Sequence, residues 1–349
     1  MIFENDILKI IDDKKKYNDQ ISKYFYRLYC ESTVNNKYFN LANRVKDCLN
    51  VWVWDAYHKN FVLDLQKVNR CKCRFCSNCR KFDLSRALNN LELPFKDLIL
   101  KGYNPFLITL TVPNVSGVDL VSTIDKLQRS FKKFYNWFSL DGRYAYSDRY
   151  MRFDACVRCL EITYNKRTKM YHPHYHCLVF SLDYNPVLFD KKYVGEWSNK
   201  RQSYNMYSDI DMQVREIWTI SYNNLTIRDI KGLESSLICD IRECDDKGVF
   251  EVMKYSIKDT DIVNYDVFKS LYFGLYNRRI RQGYGLLYNL KLENESTGKE
   301  QDLEQYLNVK ESPSQLVTTD MKTLYSSVYS NYIKLSRFNK DKFFNKLEG

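Results

Sequence analysis

His172-Pro-His174-Tyr-His176-Cys177-Leu178-Val179-Phe180 holds three of the four histidines of the chain within five residues and runs directly into an apolar stretch. Alternation along a strand sends His172, His174 and His176 to one face and Tyr175, Cys177 and Val179 to the other. Imidazoles gathered on one strand face are a metal-ligand pattern, and so scarce a residue seldom clusters for packing alone. The plain alternative is a core or surface strand that holds its histidines incidentally. Upstream, Cys156 to Tyr164 also reads as a strand, and Asn165-Lys-Arg-Thr-Lys-Met170 between the two is turn-forming, so the pair predicts a hairpin. If it closes through a four-residue loop, Glu161 lies opposite His174 or His176 and shares their face. Two or three histidines with one glutamate, and positions left open, suit Mn²⁺ or Mg²⁺ acting on a phosphate better than a closed structural zinc site. His172, near the strand's end, is either a third histidine ligand or a cap on the turn. Glu161 is either a ligand or a solvated charge on an edge strand.

Working outward, Pro105 to Pro113 alternates Phe106, Ile108, Leu110 and Val112 against Thr109 and Thr111, a strand. Ile124, Leu127, Phe131, Phe134, Tyr135 and Phe138 recur at helical spacing from about Leu120 to Phe138, a stripe suited to packing on a sheet. Leu237 to Arg242 resembles a short strand and Gly248 to about Asp259 a helix. These elements predict an α+β fold: a central antiparallel sheet carrying the histidines, with flanking helices and helical N- and C-terminal extensions. Residues 1–50 form the helical N-terminal extension, 51–100 a cysteine-rich segment with β-like residues at its start, and 101–292 the catalytic domain. Polar residues 293–315 read as a linker. Residues 316–349 carry a last helix, from about Asp320 to Ser336, through Leu324, Val328, Tyr332 and Leu335.

A chain of 349 residues with 44% hydrophobic content can bury a sizeable core. Its net charge of +11 favours a polyanionic partner such as nucleic acid over an acidic small molecule. No run of about twenty apolar residues is present, so no membrane partner is expected. Met1-Ile-Phe-Glu-Asn-Asp6 has no cleavable hydrophobic character, so a cytoplasmic protein is expected. In that setting the eleven cysteines are buried thiols or metal ligands rather than disulfides. Cys76-x-x-Cys79 is a compact metal knuckle; Cys71 or Cys73 can add a third thiolate, and Cys48, upstream, is a candidate fourth. The cluster is either a structural Zn²⁺ site or a set of inert thiols. Arg278, Arg279 and Arg281 follow Tyr272, Phe273 and Tyr276, a mixture that either holds a DNA backbone while rings stack on bases or solvates a helix face. Lys67, Arg70, Lys72, Arg74 and Arg80 make a second basic stretch, suited to duplex DNA.

A metal on a phosphate needs a nucleophile. In Glu251-Val-Met-Lys254-Tyr255-Ser-Ile-Lys258, Glu251 lies four residues before Tyr255 and Lys258 three after, so the three share a helix face. A tyrosine of pKa about 10 is only ~0.1% phenolate at neutral pH, a deficit of about 4 kcal/mol. A lysine within about 4 Å at an effective dielectric near 20 supplies a comparable amount, so Lys258 can assist. Glu251 is better suited to taking a proton from water in a later hydrolytic step. With 29 tyrosines in the chain, composition alone could not single out Tyr255.

Three ordered stretches carry a family resemblance: Phe106-Leu-Ile-Thr-Leu-Thr-Val-Pro-Asn114, then Leu160-Glu-Ile-Thr-Tyr-Asn165 with His172-Pro-His-Tyr-His-Cys-Leu178, then Glu251-Val-Met-Lys-Tyr-Ser-Ile-Lys-Asp259. In these the chain resembles the replication initiators of Gram-positive rolling-circle plasmids, within the HUH endonuclease superfamily. The spacing Cys71, Cys76, Cys79, then Arg86 is similar to that family's N-terminal cysteine region; Cys73 and Cys159 depart from its pattern. The resemblance implies a site-specific nick in one strand of a plasmid origin. Tyr255 would attack the scissile phosphate and stay bound to the 5′ phosphate, leaving a 3′ hydroxyl for a polymerase. His174 and His176 would be metal ligands with Glu161, Glu251 would activate water, and a host helicase and DNA polymerase would be partners. Rival readings are a mobilisation relaxase or single-strand transposase of the same superfamily, and a catalytically idle origin-binding regulator of copy number. Nicking of a double-strand origin that supports replication separates the first; the second would bind the origin without metal.

Overall fold

The computed structural model describes residues 4–32, 36–57, 62–139, 149–198, 202–225, 237–244, 252–253, 259–290, 292, 315–319 and 333–335. In chain order its first elements are α1 (Glu4–Glu31), α2 (Asn36–Lys46), β1 (Trp52–Tyr57), β2 (Val62–Val68), α3 (Ser77–Leu100), β3 (Asn104–Thr111) and α4 (Leu120–Phe138). There follow β4 (Ala155–Asn165), β5 (Met170–Ser181), β6 (Tyr193–Ser198), β7 (Ser203–Tyr207), α5 (Asp209–Asn223) and β8 (Cys239–Glu243). The last are α6 (Tyr265–Leu275), β9 (Arg281–Gly285), β10 (Gln315–Thr319) and β11 (Ile333–Leu335). Two compact units result: Met1–Ser85 with Glu295–Gly349, and Arg86–Asn294. Among the described residues no helix is long and apolar enough to cross a membrane.

In the first unit, Ile21, Phe25 and Leu28 of α1 are buried, as are Ala42 and Val45 of α2, and Ser22 Oγ donates to the Ala42 carbonyl at 2.8 Å. The N-terminal extension is helical, and these apolar residues are the ones that bury between its helices. Its sheet has the order β10-β1-β2-β11, with β10 antiparallel to β1 and β11 parallel to β2. This corrects the C-terminal reading: Ile333–Leu335 is a strand where spacing predicts a helix, and Gln315 opens a strand where the linker was expected to end. The open edges of the β1–β2 hairpin have unpaired backbone groups, and pairing with them outweighs a short helical period. Residues 320–332 lie outside the described residues, as does nearly all of the expected linker.

The second unit is built on a five-stranded sheet of order β8-β3-β5-β4-β9, antiparallel throughout, with the histidine strand β5 at its centre. This is the expected α+β architecture. The β4–β5 hairpin closes through four residues, 166–169, after the pair Asn165↔Met170. Asn165 Oδ1 accepts from the backbone N–H groups of Arg167 at 2.9 Å and Thr168 at 3.1 Å, and Lys169 adopts φ 56°. That asparagine turn fixes the register, and the register sets Glu161 opposite His174 and Cys159 opposite His176.

One face of the sheet, bearing Tyr175, Cys177, Ile108 and Leu110, packs on helices. Phe131 of α4 meets Tyr175 edge-on at 5.3 Å, Phe134 meets Trp218 of α5 at 5.8 Å, and Trp218 Nε1 donates to the Thr111 carbonyl at 2.7 Å. Phe131, Phe134 and Phe138 are almost wholly buried, each burial stabilising the fold by about 2 kcal/mol. A Cβ at Gly274 of α6 would come within 3.1–3.2 Å of Leu120 and Ile124, so that glycine lets α6 lie close on α4. Helix α5 is absent from the expectations above. Its Ser208 side chain caps the helix while Asp211 bonds back to the Ser208 amide, and Ile210, Val214, Ile217 and Trp218 form its buried stripe. A Ser-x-x-Asp start followed by that period was legible in the residues.

Candidate metal centre

The opposite face of the sheet carries the histidines. Directly paired antiparallel residues share a face, so His174 and His176 of β5, Glu161 and Cys159 of β4, and Thr109 and Thr111 of β3 all project from it. Glu161 and His174 are buried and His176 half-buried, leaving one side of the group approachable. His176 Nε2 lies 3.1 Å from Glu161 Oε2 and 3.2 Å from His174 Nε2, and the third edge, His174 Nε2 to Glu161 Oε2, is 3.7 Å.

Glu161, His174 and His176 could hold a metal ion. His174 Nδ1 lies 3.0 Å from the His172 carbonyl, which only accepts, so the proton sits on Nδ1 and Nε2 presents a lone pair. His176 Nδ1 faces Thr109 Oγ1 at 3.4 Å, a hydroxyl that can accept its proton and so free Nε2 for a cation. In that tautomer two lone pairs and a carboxylate oxygen converge on one point, an arrangement that a cation stabilises. Octahedral coordination at about 2.1 Å sets neighbouring ligand atoms roughly 3.0 Å apart. The triangle therefore fits one face of such a sphere and leaves its remaining positions for water or phosphate oxygens. Mixed imidazole and carboxylate donors suit a divalent ion such as Mn²⁺ or Mg²⁺, and among the described residues three ligands gather here.

His172 is not brought into the triangle. Its ring stacks on His174 at 4.9 Å and 21°, and burial, then the neighbouring His174, push it down to about 4, so it stays neutral at pH 7. It contributes its carbonyl, which orients His174. Nor do the three arginines form one basic surface. Arg278 donates from Nε and Nη2 to the two carboxylate oxygens of Asp125 at 2.8 and 2.9 Å, and Arg281 is buried, its Nη2 donating to the Met253 carbonyl at 3.2 Å. Arg279 alone of the three has an exposed side chain. A carboxylate and a carbonyl, both distant in sequence, claim the other two, which no local spacing announces.

Glu251, Tyr255 and Lys258 lie outside the described residues. Val252 and Met253, within the same stretch, are buried. Met253 sulfur is 3.9 Å from Cys159 Sγ, and its carbonyl is held by Arg281, whose Cα partner on β4 is Cys159. Met253 is thus anchored on the histidine face, one strand pair from His176.

A model of a family described as "Replication protein" matches residues 62–332. The chain belongs to the replication protein family. Among curated relatives it is 27% identical over 258 residues to "Protein rep" of Bacillus amyloliquefaciens, covering 72% of this chain and 69% of the relative. It is 26% identical over 253 residues to "Protein rep" of Staphylococcus aureus, covering 71% of this chain and 92% of the relative. No solved structure matches. The matched span takes in the strand of Thr109, the hairpin and Tyr255, which bears out the resemblance to rolling-circle plasmid Rep proteins.

Proposed function

We propose that this replication protein is a plasmid rolling-circle initiator that nicks and rejoins one DNA strand at its origin through a 5′-phosphotyrosine intermediate. Glu161, His174 and His176 would hold one Mn²⁺ or Mg²⁺, which when bound supplies Lewis-acid polarisation of the scissile phosphate. The Tyr255 oxygen forms the new ester bond to phosphorus, the bond from phosphorus to the 3′ oxygen breaks, and the phenol's proton ends on the released 3′ hydroxyl. One phosphodiester replaces another, so the energy for rejoining stays in the ester and no nucleotide cofactor is needed. Lys258 offsets part of the cost of the phenolate, and Glu251 takes a proton from water when the last ester is hydrolysed. The +11 charge draws the chain to origin DNA in the cytoplasm. The released 3′ hydroxyl then primes a host polymerase while a host helicase opens the duplex ahead of it.

The observation that carries this reading is the convergence of two imidazole Nε2 atoms and a carboxylate on the face where Met253, two residues before Tyr255, is anchored. The test is conversion of supercoiled plasmid carrying the cognate origin to open circles. Mn²⁺ should support it and chelator should stop it. Nicking by the double variant Glu161→Ala, His174→Ala at the wild-type rate would sink the proposal.

A further inference from the structure

Away from that centre, in the first unit, four cysteines from three stretches of chain converge. Cys48 follows α2, Cys71 follows β2, Cys76 precedes α3, and Cys79 sits in its first turn. All four are buried, and their sulfur atoms lie within 4.8 Å of one another. The separations are 3.6 Å for Cys48–Cys79, 3.5 Å for Cys71–Cys79 and 3.5 Å for Cys48–Cys76. A disulfide needs about 2.05 Å, so none of these three pairs is one. A tetrahedral ion with metal–sulfur bonds of about 2.3 Å sets its sulfurs roughly 3.8 Å apart. Three measured edges come within a few tenths of an ångström of that figure.

We propose that Cys48, Cys71, Cys76 and Cys79 bind one structural Zn²⁺. The backbone is arranged for thiolates: the Cys71 amide donates to Cys48 Sγ at 3.5 Å and the Cys73 amide to Cys71 Sγ at 3.4 Å. Cys76 and Cys79 also flank the start of α3, where the helix dipole favours negative charge. Four thiolates around Zn²⁺ carry a net charge of −2, and Arg44, which donates to the Cys71 carbonyl at 2.5 Å, offsets part of it. The closed four-sulfur shell leaves no open position, so the ion's part is structural. It ties the base of the β1–β2 hairpin, where the Leu49 amide meets the Asn69 carbonyl at 2.8 Å, to the first turn of α3. Cys73 is buried yet stands outside the group; its amide and carbonyl shape the turn between Cys71 and Cys76. Spacing leaves Cys71 and Cys73 as alternatives; the fold selects Cys71.

The experiment is elemental analysis of the full chain purified without chelator, beside Cys48→Ser, Cys79→Ser, Cys73→Ser and Glu161→Gln. Wild type should carry about one zinc per chain. Cys73→Ser and Glu161→Gln should keep it, and Cys48→Ser and Cys79→Ser should lose it. Because Glu161→Gln disables the other centre, failure of the nicking chemistry and failure of the zinc site are told apart. If the two serine variants do not fold, wild type grown with Co²⁺ should show the intense visible absorption of a four-thiolate tetrahedral ion. Zinc-free wild type without that spectrum, or loss of zinc in Cys73→Ser equal to that in Cys48→Ser, would overturn the proposal.

Discussion

Pairing of β3 with β5 puts the Thr109 hydroxyl 3.4 Å from His176 Nδ1. Groups that orient a ligating histidine typically govern metal affinity by 10- to 100-fold. Thr109→Val should therefore weaken Mn²⁺ binding, measured by calorimetry, by about tenfold. His174→Ala should abolish it, while His172→Ala keeps the carbonyl that holds His174 and should bind within about tenfold of wild type. Equal loss in both histidine variants would return His172 to the ligand set. Glu161 and the paired histidines were legible because a hairpin of fixed loop length determines its own register. His172 was ambiguous because alternation gives a face and not a distance.

Local period and turn chemistry yielded β3, α4 and the β4–β5 hairpin almost to the residue, since each is set by neighbours in sequence. What eluded that reading is contact between distant elements. The Asp125–Arg278 pair joins α4 to the segment after α6, and Arg278 also accepts the task of capping by donating to the Phe273 and Gly274 carbonyls. Its hydrogen bonds hold the Asp125 carboxyl below the usual carboxylate range. A depressed carboxyl pKa contributes stability that is complete above the unfolded value, about 3.9, and fades as pH falls through the folded one. Asp125→Asn should thus cost under about 1 kcal/mol near pH 6, the pair being partly exposed, and converge with wild type in strong acid. Urea denaturation at both pH values checks this; a gap that widens in acid would contradict it. At the far edge of the sheet Gly285 adopts φ +57°, and a Cβ there would lie 2.1 Å from the Asp154 carbonyl. Gly285→Ala should lower stability by about 2 kcal/mol in the same assay; an unchanged midpoint would show that the β4–β9 edge yields freely.

For the molecule as a whole, the +11 charge pointed to nucleic acid, and the family match agrees. The division of the chain was less legible. Residues 295–349 group with the N-terminal 85 residues, a return of the chain that no linker composition reveals. Binding of origin DNA should fall steeply with salt if the basic excess meets phosphates, and a flat dependence in a titration from low to physiological ionic strength would count against it. In the proposed mechanism a metal-organised imidazole and carboxylate face delivers DNA to Tyr255. Incubating the chain with Mn²⁺ and a single-stranded origin oligonucleotide, then sequencing the DNA-linked peptide by mass spectrometry, tests it most directly. A 5′-phosphate ester on Tyr255 is expected, lost on chelation and in Tyr255→Phe; an adduct on another residue, or one formed equally without divalent metal, would contradict it.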